Sequence, residues 1–196
     1  GRPASAVTVD WLGLDVAAAF AGTSRVVVES DVRAAAIGEG EVGAGVGVAQ
    51  FVYVTVGTGI AHTLVVDGVA HRGHRGAAVL LGAPPVERVA SGPAIAARAG
   101  TVDAQAAFDD PAYGPVISEA AVVLGHALAT LAAALDPEVV IVGGGLGMRD
   151  DYRTLAAGAM SAALAAAGAA ALEVRPAALG EASAAVGAAI VATRSV

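Results

Sequence analysis

Residues 138–145 read "EVVIVGGG", an unbroken β-branched run that ends in three glycines. A run of this kind without polar alternation is a strand buried inside a sheet. Before it stands "PVISEAAVVLGHALATLAAALD", residues 115–136, whose apolar positions recur three and four apart and whose end is set by Asp136-Pro137. After it come a helical stretch at 151–168, a second strand in "LEVRPAAL" and a terminal helix in "GEASAAVGAAIVATRS". Strand, glycine turn, helix, strand, helix is an α/β order with parallel pairing in this half of the chain. The glycines Gly143, Gly144 and Gly145 let a nucleotide approach the backbone, or else serve only a tight strand-to-helix turn.

The first half has a different rhythm. "VVVE", residues 26–29, reads as a short buried strand, and "SDVRAAAIGEGEVGAG" as a helix with Ser30 or Asp31 at its N-cap. "QFVYVTVG" and "HTLVVDG" are β-branched runs, and Asp67-Gly68 is a hairpin signal, so residues 49 to 72 read as a β-meander. "GHRGAAVLLGAPP" is loop-like, and "ERVASGPAIAARAG" is helical with a break at Ser91-Gly92-Pro93.

Composition narrows the function classes. The 196 residues carry a net charge of -7 with 11 basic side chains, none clustered, so no nucleic-acid contact is expected through this segment. The absence of cysteine excludes disulfides and thiolate zinc sites and fits a cytoplasmic protein. Mean hydropathy is high, at +0.70, and Thr154 to Leu172 runs without a charge. That run is mostly alanine, so it reads as a helix on a core rather than a membrane span. The opening "GRPASAVTVDW" has no basic start followed by an apolar stretch, so no signal peptide is expected.

Three stretches have chemistry to offer. Asp31 follows a strand and opens a helix, where functional residues collect in α/β folds. It is a candidate base whose charge the helix amides complement, or simply a cap. Gly57, Thr58 and Gly59 form a glycine-bearing turn whose amides and Thr58 hydroxyl can wrap a phosphate oxygen, or only reverse the chain. The third is the triple glycine. His62, His71 and His74 lie in strand and loop context without paired carboxylates, which argues against a metal site, and His126 reads as a core histidine.

In order along the chain, strand-Asp-helix, the GTG meander, "RGAA", "ERVASGPA", "LDPEVVIVGGG" and "RPAALGEASAAVGAA" resemble the ROK family of sugar kinases and sugar-responsive transcriptional repressors. The resemblance implies the ribonuclease H-like, actin-like ATPase fold. It also implies that residues 1–48 are the remnant of an N-terminal lobe and inter-lobe region, followed by a C-terminal lobe at 49–196. By the same resemblance Asp31 matches the catalytic aspartate that takes the proton of the attacking sugar hydroxyl. Ser30 stands where the family usually has a sugar-binding asparagine, and Glu87 matches a glutamate that touches the sugar. The GTG and GGG turns (Gly57, Thr58, Gly59, Gly143, Gly144 and Gly145) then fall on the side of ATP and Mg.

The departures from that family pattern set the functional expectation. Where the family has "GEIGH", this chain has "VLLGA", so Leu80 replaces the sugar-binding glutamate and Ala83 a histidine that also helps hold zinc. Each lost buried hydrogen-bond partner costs about 1–3 kcal/mol, so sugar affinity should fall several-hundred-fold and no zinc is expected. The chain therefore reads as a regulator-type or non-catalytic sugar-kinase homologue, or alternatively as an ATP-dependent hexose or N-acetylhexosamine kinase with Asp31 as general base. The alanine-rich helices and the family resemblance suggest a homodimer, with a sugar or sugar phosphate as the small-molecule ligand and no membrane partner.

Overall fold

The computed structural model describes residues 15–20, 22, 26–78 and 85–194. Among the described residues, eight α-helices and five strands run in the order α1 (Val16–Ala19), α2 (Asp31–Val42), β1 (Gln50–Val56), β2 (Ile60–Val66), β3 (Val69–Ala70), α3 (Glu87–Ala90), α4 (Gly92–Ala99), α5 (Ala104–Phe108), α6 (Gly114–Leu135), β4 (Val139–Gly143), α7 (Asp150–Ala166), β5 (Glu173–Pro176) and α8 (Ser183–Arg194). The strands form one mixed sheet in the order β3-β2-β1-β4-β5. β1 pairs antiparallel with β2 and parallel with β4, and β5 extends the parallel half.

The sheet is covered on both faces, which is why β4 is buried along its whole length. Val52, Val54, Val56, Val140 and Val142 point to one side, where Leu124, Leu128, Met160 and Leu164 of α6 and α7 pack. Phe51, Tyr53, Val139 and Ile141 point to the other, onto Val32, Ala35 and Ala36 of α2 and the partly buried Ile190 of α8. Each helix pair crosses at glycine. A Cβ on Gly125 would lie 2.5 Å from the Ala156 carbonyl of α7, and one on Gly38 would lie 2.6 Å from the Ser183 carbonyl of α8.

The meander forms as the sequence predicts. Asp67 and Gly68 both take positive φ, 49° and 74°, the pairing a two-residue hairpin turn demands. The helical stretch after Glu87 is broken at Ser91, whose hydroxyl accepts from Ala94 N at 3.4 Å and caps α4.

Three expectations are corrected. Residues 26–29 form no strand, because no strand among the described residues offers them a ladder. The uncharged run from Thr154 is helical only to Ala166 and then turns at Gly168 (φ 73°) toward β5. His126 is exposed on α6 rather than in the core. α6 is the one described helix long and apolar enough to cross a membrane by composition, but Ile117, Ala120, Leu124 and Leu128 place its apolar stripe in the core of the sheet layer.

Candidate functional site

The carboxyl ends of the parallel strands β1 and β4 carry the two glycine turns side by side, the edge at which open α/β sheets bind ligands. Gly57–Gly59 closes the β1–β2 hairpin, with Val56 opposite Ile60 and Gly57 N donating to Gly59 O at 3.0 Å. The turn therefore does reverse the chain. It is also stitched to its surroundings: Gly92 N donates to Gly57 O at 2.8 Å, and the Glu87 carboxylate accepts from Ile60 N at 2.8 Å. A Cβ on Gly59 would stand 3.1 Å from Glu87 Oε2, so Glu87 lies directly beside the turn.

The triple glycine divides into three different roles. A Cβ on Gly143 would run into the Tyr53 hydroxyl, so this glycine makes room for a core phenol. Gly144, at φ 81°, lets the chain turn where a Cβ would be 2.5 Å from the Val56 carbonyl. Gly145 has nothing within 4 Å of its Cβ position and opens onto a cavity. After it Leu146 N and Gly147 N both donate to Val56 O at 3.0 Å, locking the two turns together.

That cavity measures about 470 Å³, within the size range of small-molecule sites (roughly 300–1,000 Å³). Gly57, Thr58 and Gly145 form its end at the sheet; Gly92 and Pro93 of α4, Gln105 and Phe108 of α5, Leu146 and Arg149 line it further out. Arg149 Cζ lies over the Phe108 ring at 4.1 Å from its centre, and its fork is held by Asp151 at 2.9 Å and by Gln105 at 2.9 Å. The Arg149 hydrogen bonds hold the Asp151 carboxyl below the usual carboxylate range. Phe108 in turn meets Tyr152 edge-on at 5.8 Å, and Tyr152 donates to Ala90 O at 2.9 Å. Sequence reasoning missed this outer wall. One signal was available, since Phe108 is one of only three phenylalanines in a chain of 4% aromatics.

Asp31 lines a second, smaller cavity of about 120 Å³ on the other side of the same strand ends, with Tyr53, Thr55, Gly144, Glu181 and Ser183. Its Oδ1 accepts from Val32 N at 2.8 Å at the start of α2. Beneath it, burial pushes the Tyr53 phenol up to about 12, opposed by its hydrogen bond to Ser183, so Tyr53 is a neutral hydroxyl at physiological pH. Ser183 Oγ donates to Glu39 Oε1 at 2.7 Å, which ties this wall to α2. Asp31 thus shares an edge with Gly144 and Thr55, while Gly57, Thr58 and Gly145 face the larger cavity, and the predicted Gly59 and Gly143 line neither.

The remaining predicted positions sit elsewhere. Ser30 precedes α2 as its N-cap without a side-chain capping bond, and its N–H donates to Glu29 Oε1 at 2.9 Å. Neither Ser30 nor Glu87 lines either cavity. Leu80 and Ala83 lie outside the described residues. Among the described residues no group of three or more His, Cys, Asp or Glu side chains converges.

His62, on β2, has a buried Nδ1 without a hydrogen-bond partner, and burial lowers its pKa below the ordinary 6.5. The unfolded chain then binds a proton more readily than the folded one, so stability is full above about pH 6.5 and is lost as pH falls below it. His62→Gln is expected to lose less melting temperature than wild type between pH 7.5 and pH 5.5. Equal acid slopes for the two proteins would refute a buried neutral His62.

The comparisons agree with this geometry. The ROK family's sequence model matches residues 7–195. The bifunctional enzyme NanE/NanK of Brucella suis is 35% identical over 159 residues, which are 72% of this chain and 30% of that enzyme, so the chain spans under a third of its relative. The ROK hexokinase of Thermus thermophilus superposes with a TM-score of 0.75 at 30% identity, covering 86% of this chain and 66% of the hexokinase. A ROK glucokinase of Streptomyces griseus, solved with glucose and AMPPNP, gives a TM-score of 0.80 at 26% identity, covering 95% of this chain and 74% of the glucokinase. With its sheet order, its paired glycine turns and a family match over almost its full length, the chain belongs to the ROK family.

Proposed function

We propose that this chain is a nucleotide-binding ROK module whose sugar side has degenerated, so that it acts as a regulator-type or non-catalytic sugar-kinase homologue. One observation carries the reading. The 470 Å³ cavity with Gly57, Thr58 and Gly145 at its end, and the smaller cavity with Asp31, flank the same two strand ends. ATP fits that arrangement: backbone at two glycine turns meets the phosphates without a Cβ in the way, and the outer cavity is of nucleoside size. Bound there with Mg, ATP would supply a transferable phosphoryl group, and Gly57, Thr58 and Gly145 would hold its phosphates.

The sugar side lacks such support. Leu80 and Ala83 replace the acid and imidazole that resemblance assigns to sugar hydroxyls, and an apolar Leu80 would add a desolvation penalty. The second reading, an ATP-dependent sugar kinase with altered substrate range, is favoured by Asp31 alone. Asp31 keeps an exposed carboxylate with one oxygen on Val32 N, leaving the other for a substrate hydroxyl proton.

Gly145→Val tests the nucleotide reading without disturbing the fold, since Gly145 has an ordinary φ and open space at its Cβ. Titration of ADP is expected to show affinity reduced by at least about tenfold, because three added carbons occupy the phosphate end of the cavity. The melting temperature should stay near wild type. Unchanged ADP affinity in a folded variant would remove the nucleotide from this cavity.

A further inference from the structure

We infer that the large cavity accepts its nucleobase by stacking and shape, and that it does not discriminate adenine from guanine or hypoxanthine. The inference rests on the nucleotide reading above and adds the substrate range of that site. A site rejects the wrong base strongly only when it holds polar groups that the right base alone satisfies; an apolar pocket discriminates by roughly 10–200-fold at most. The side chains that line the outer cavity are mainly apolar: Pro93, Ala96, Val102, Ala104, Phe108 and Leu146.

The polar side chains of its outer part, Asp103, Gln105 and Arg149, each already have protein partners. Gln105 is used at both ends, its Oε1 accepting from Arg149 Nη1 at 2.9 Å and its Nε2 donating to Asp109 Oδ1 at 2.6 Å. Arg149 Nε and Nη2 donate to Asp151 at 3.2 and 2.9 Å. Asp103 Oδ1 caps α5 by accepting from Ala106 N at 2.8 Å, and its carbonyl accepts from Thr101 at 2.9 Å. Asp103 is exposed, so water competes for its second oxygen. Thr58, the remaining polar side chain of the lining, stands at the glycine-turn end, away from this outer wall.

The same wall offers a cation–π platform: the Arg149 guanidinium over Phe108, its carbon 4.1 Å from the ring centre, with its charge balanced by Asp151. Every base has a π-face, so a stacking platform is tolerant of base identity. Tolerance follows from the Gln105–Arg149–Asp151 network itself, which fixes the platform and turns its polar groups toward one another rather than toward a base edge.

Calorimetric titration of the protein with ADP, GDP and IDP in excess magnesium tests this. The three dissociation constants should agree within tenfold, and Arg149→Leu should weaken all three alike, on the order of tenfold. ADP binding more than tenfold tighter than both others, or an Arg149→Leu loss confined to one base, would overturn base tolerance while leaving the nucleotide site standing. Binding of none of the three would sink the nucleotide reading and this inference with it.

Discussion

Gly187→Ala is expected to lower the melting temperature by roughly 6–12 °C, because among the described glycines its added Cβ meets the nearest atom. Gly187 of α8 lies against α2 so closely that a Cβ there would fall within the Ala34 carbonyl, 2.5 Å from its carbon and 3.0 Å from Gly38 N. These are backbone atoms of a helix, with no side-chain rotamer to give way. Overpacking of cores costs about 1–3 kcal/mol and more where backbone must move. In a domain of this size each kcal/mol shifts the melt by roughly 2–4 °C. The control is Gly158→Ala on α7, where nothing lies within 4 Å, and which should be neutral or stabilising by about 0.5–1 kcal/mol. Equal melts for the two variants would mean that α2 and α8 do not cross in backbone contact.

Glu39→Ala should cost about 4 kcal/mol or more in chemical denaturation. Glu39 is fully buried on α2, and its carboxylate accepts from Ala44 N at 2.8 Å, Ala178 N and Leu179 N at 2.9 Å, and Ser183 Oγ at 2.7 Å. Three part-buried backbone donors lose their acceptor together, while the Ser183 hydroxyl keeps Gly180 O at 2.7 Å; each orphaned donor costs about 1–3 kcal/mol, reduced where water enters the void. Glu39→Gln keeps the volume and half the acceptor capacity, so its loss should fall between alanine and wild type. The damage reaches the site, because the segment that Glu39 holds carries Gly180, Glu181 and Ser183, which line the Asp31 cavity. A Glu39→Ala protein within about 1 kcal/mol of wild type would contradict this role for the carboxylate.

Much of this architecture was legible in the sequence because its signals are local. Asp67-Gly68 specifies its hairpin within two residues, and β4 announces itself through an apolar run with no alternation. Asp136, at φ 46°, stops α6 just before Pro137. The family resemblance then supplied the long-range order. What stayed hidden depends on partners distant in the chain. "VVVE" has the composition of a strand but finds no ladder among the described residues. Nothing in the sequence around Glu39 signals its burial, because its donors arrive from residues 178–183. The different tasks of Gly143, Gly144 and Gly145 depend on Tyr53 and Val56 of a neighbouring strand. The outer wall of the cavity comes from α5, five residues long and too short for any periodicity to reveal.

The central claim is that the nucleotide side of this ROK chain is intact while its sugar side is not. One calorimetric series tests it most directly: titrations of the same protein with ADP plus magnesium, glucose, N-acetylglucosamine and N-acetylmannosamine. The account predicts saturable ADP binding and no saturable heat from any sugar at low millimolar concentration, in line with a several-hundred-fold loss from the missing polar partners. Micromolar affinity for any of the three sugars, or no binding of ADP, would contradict it.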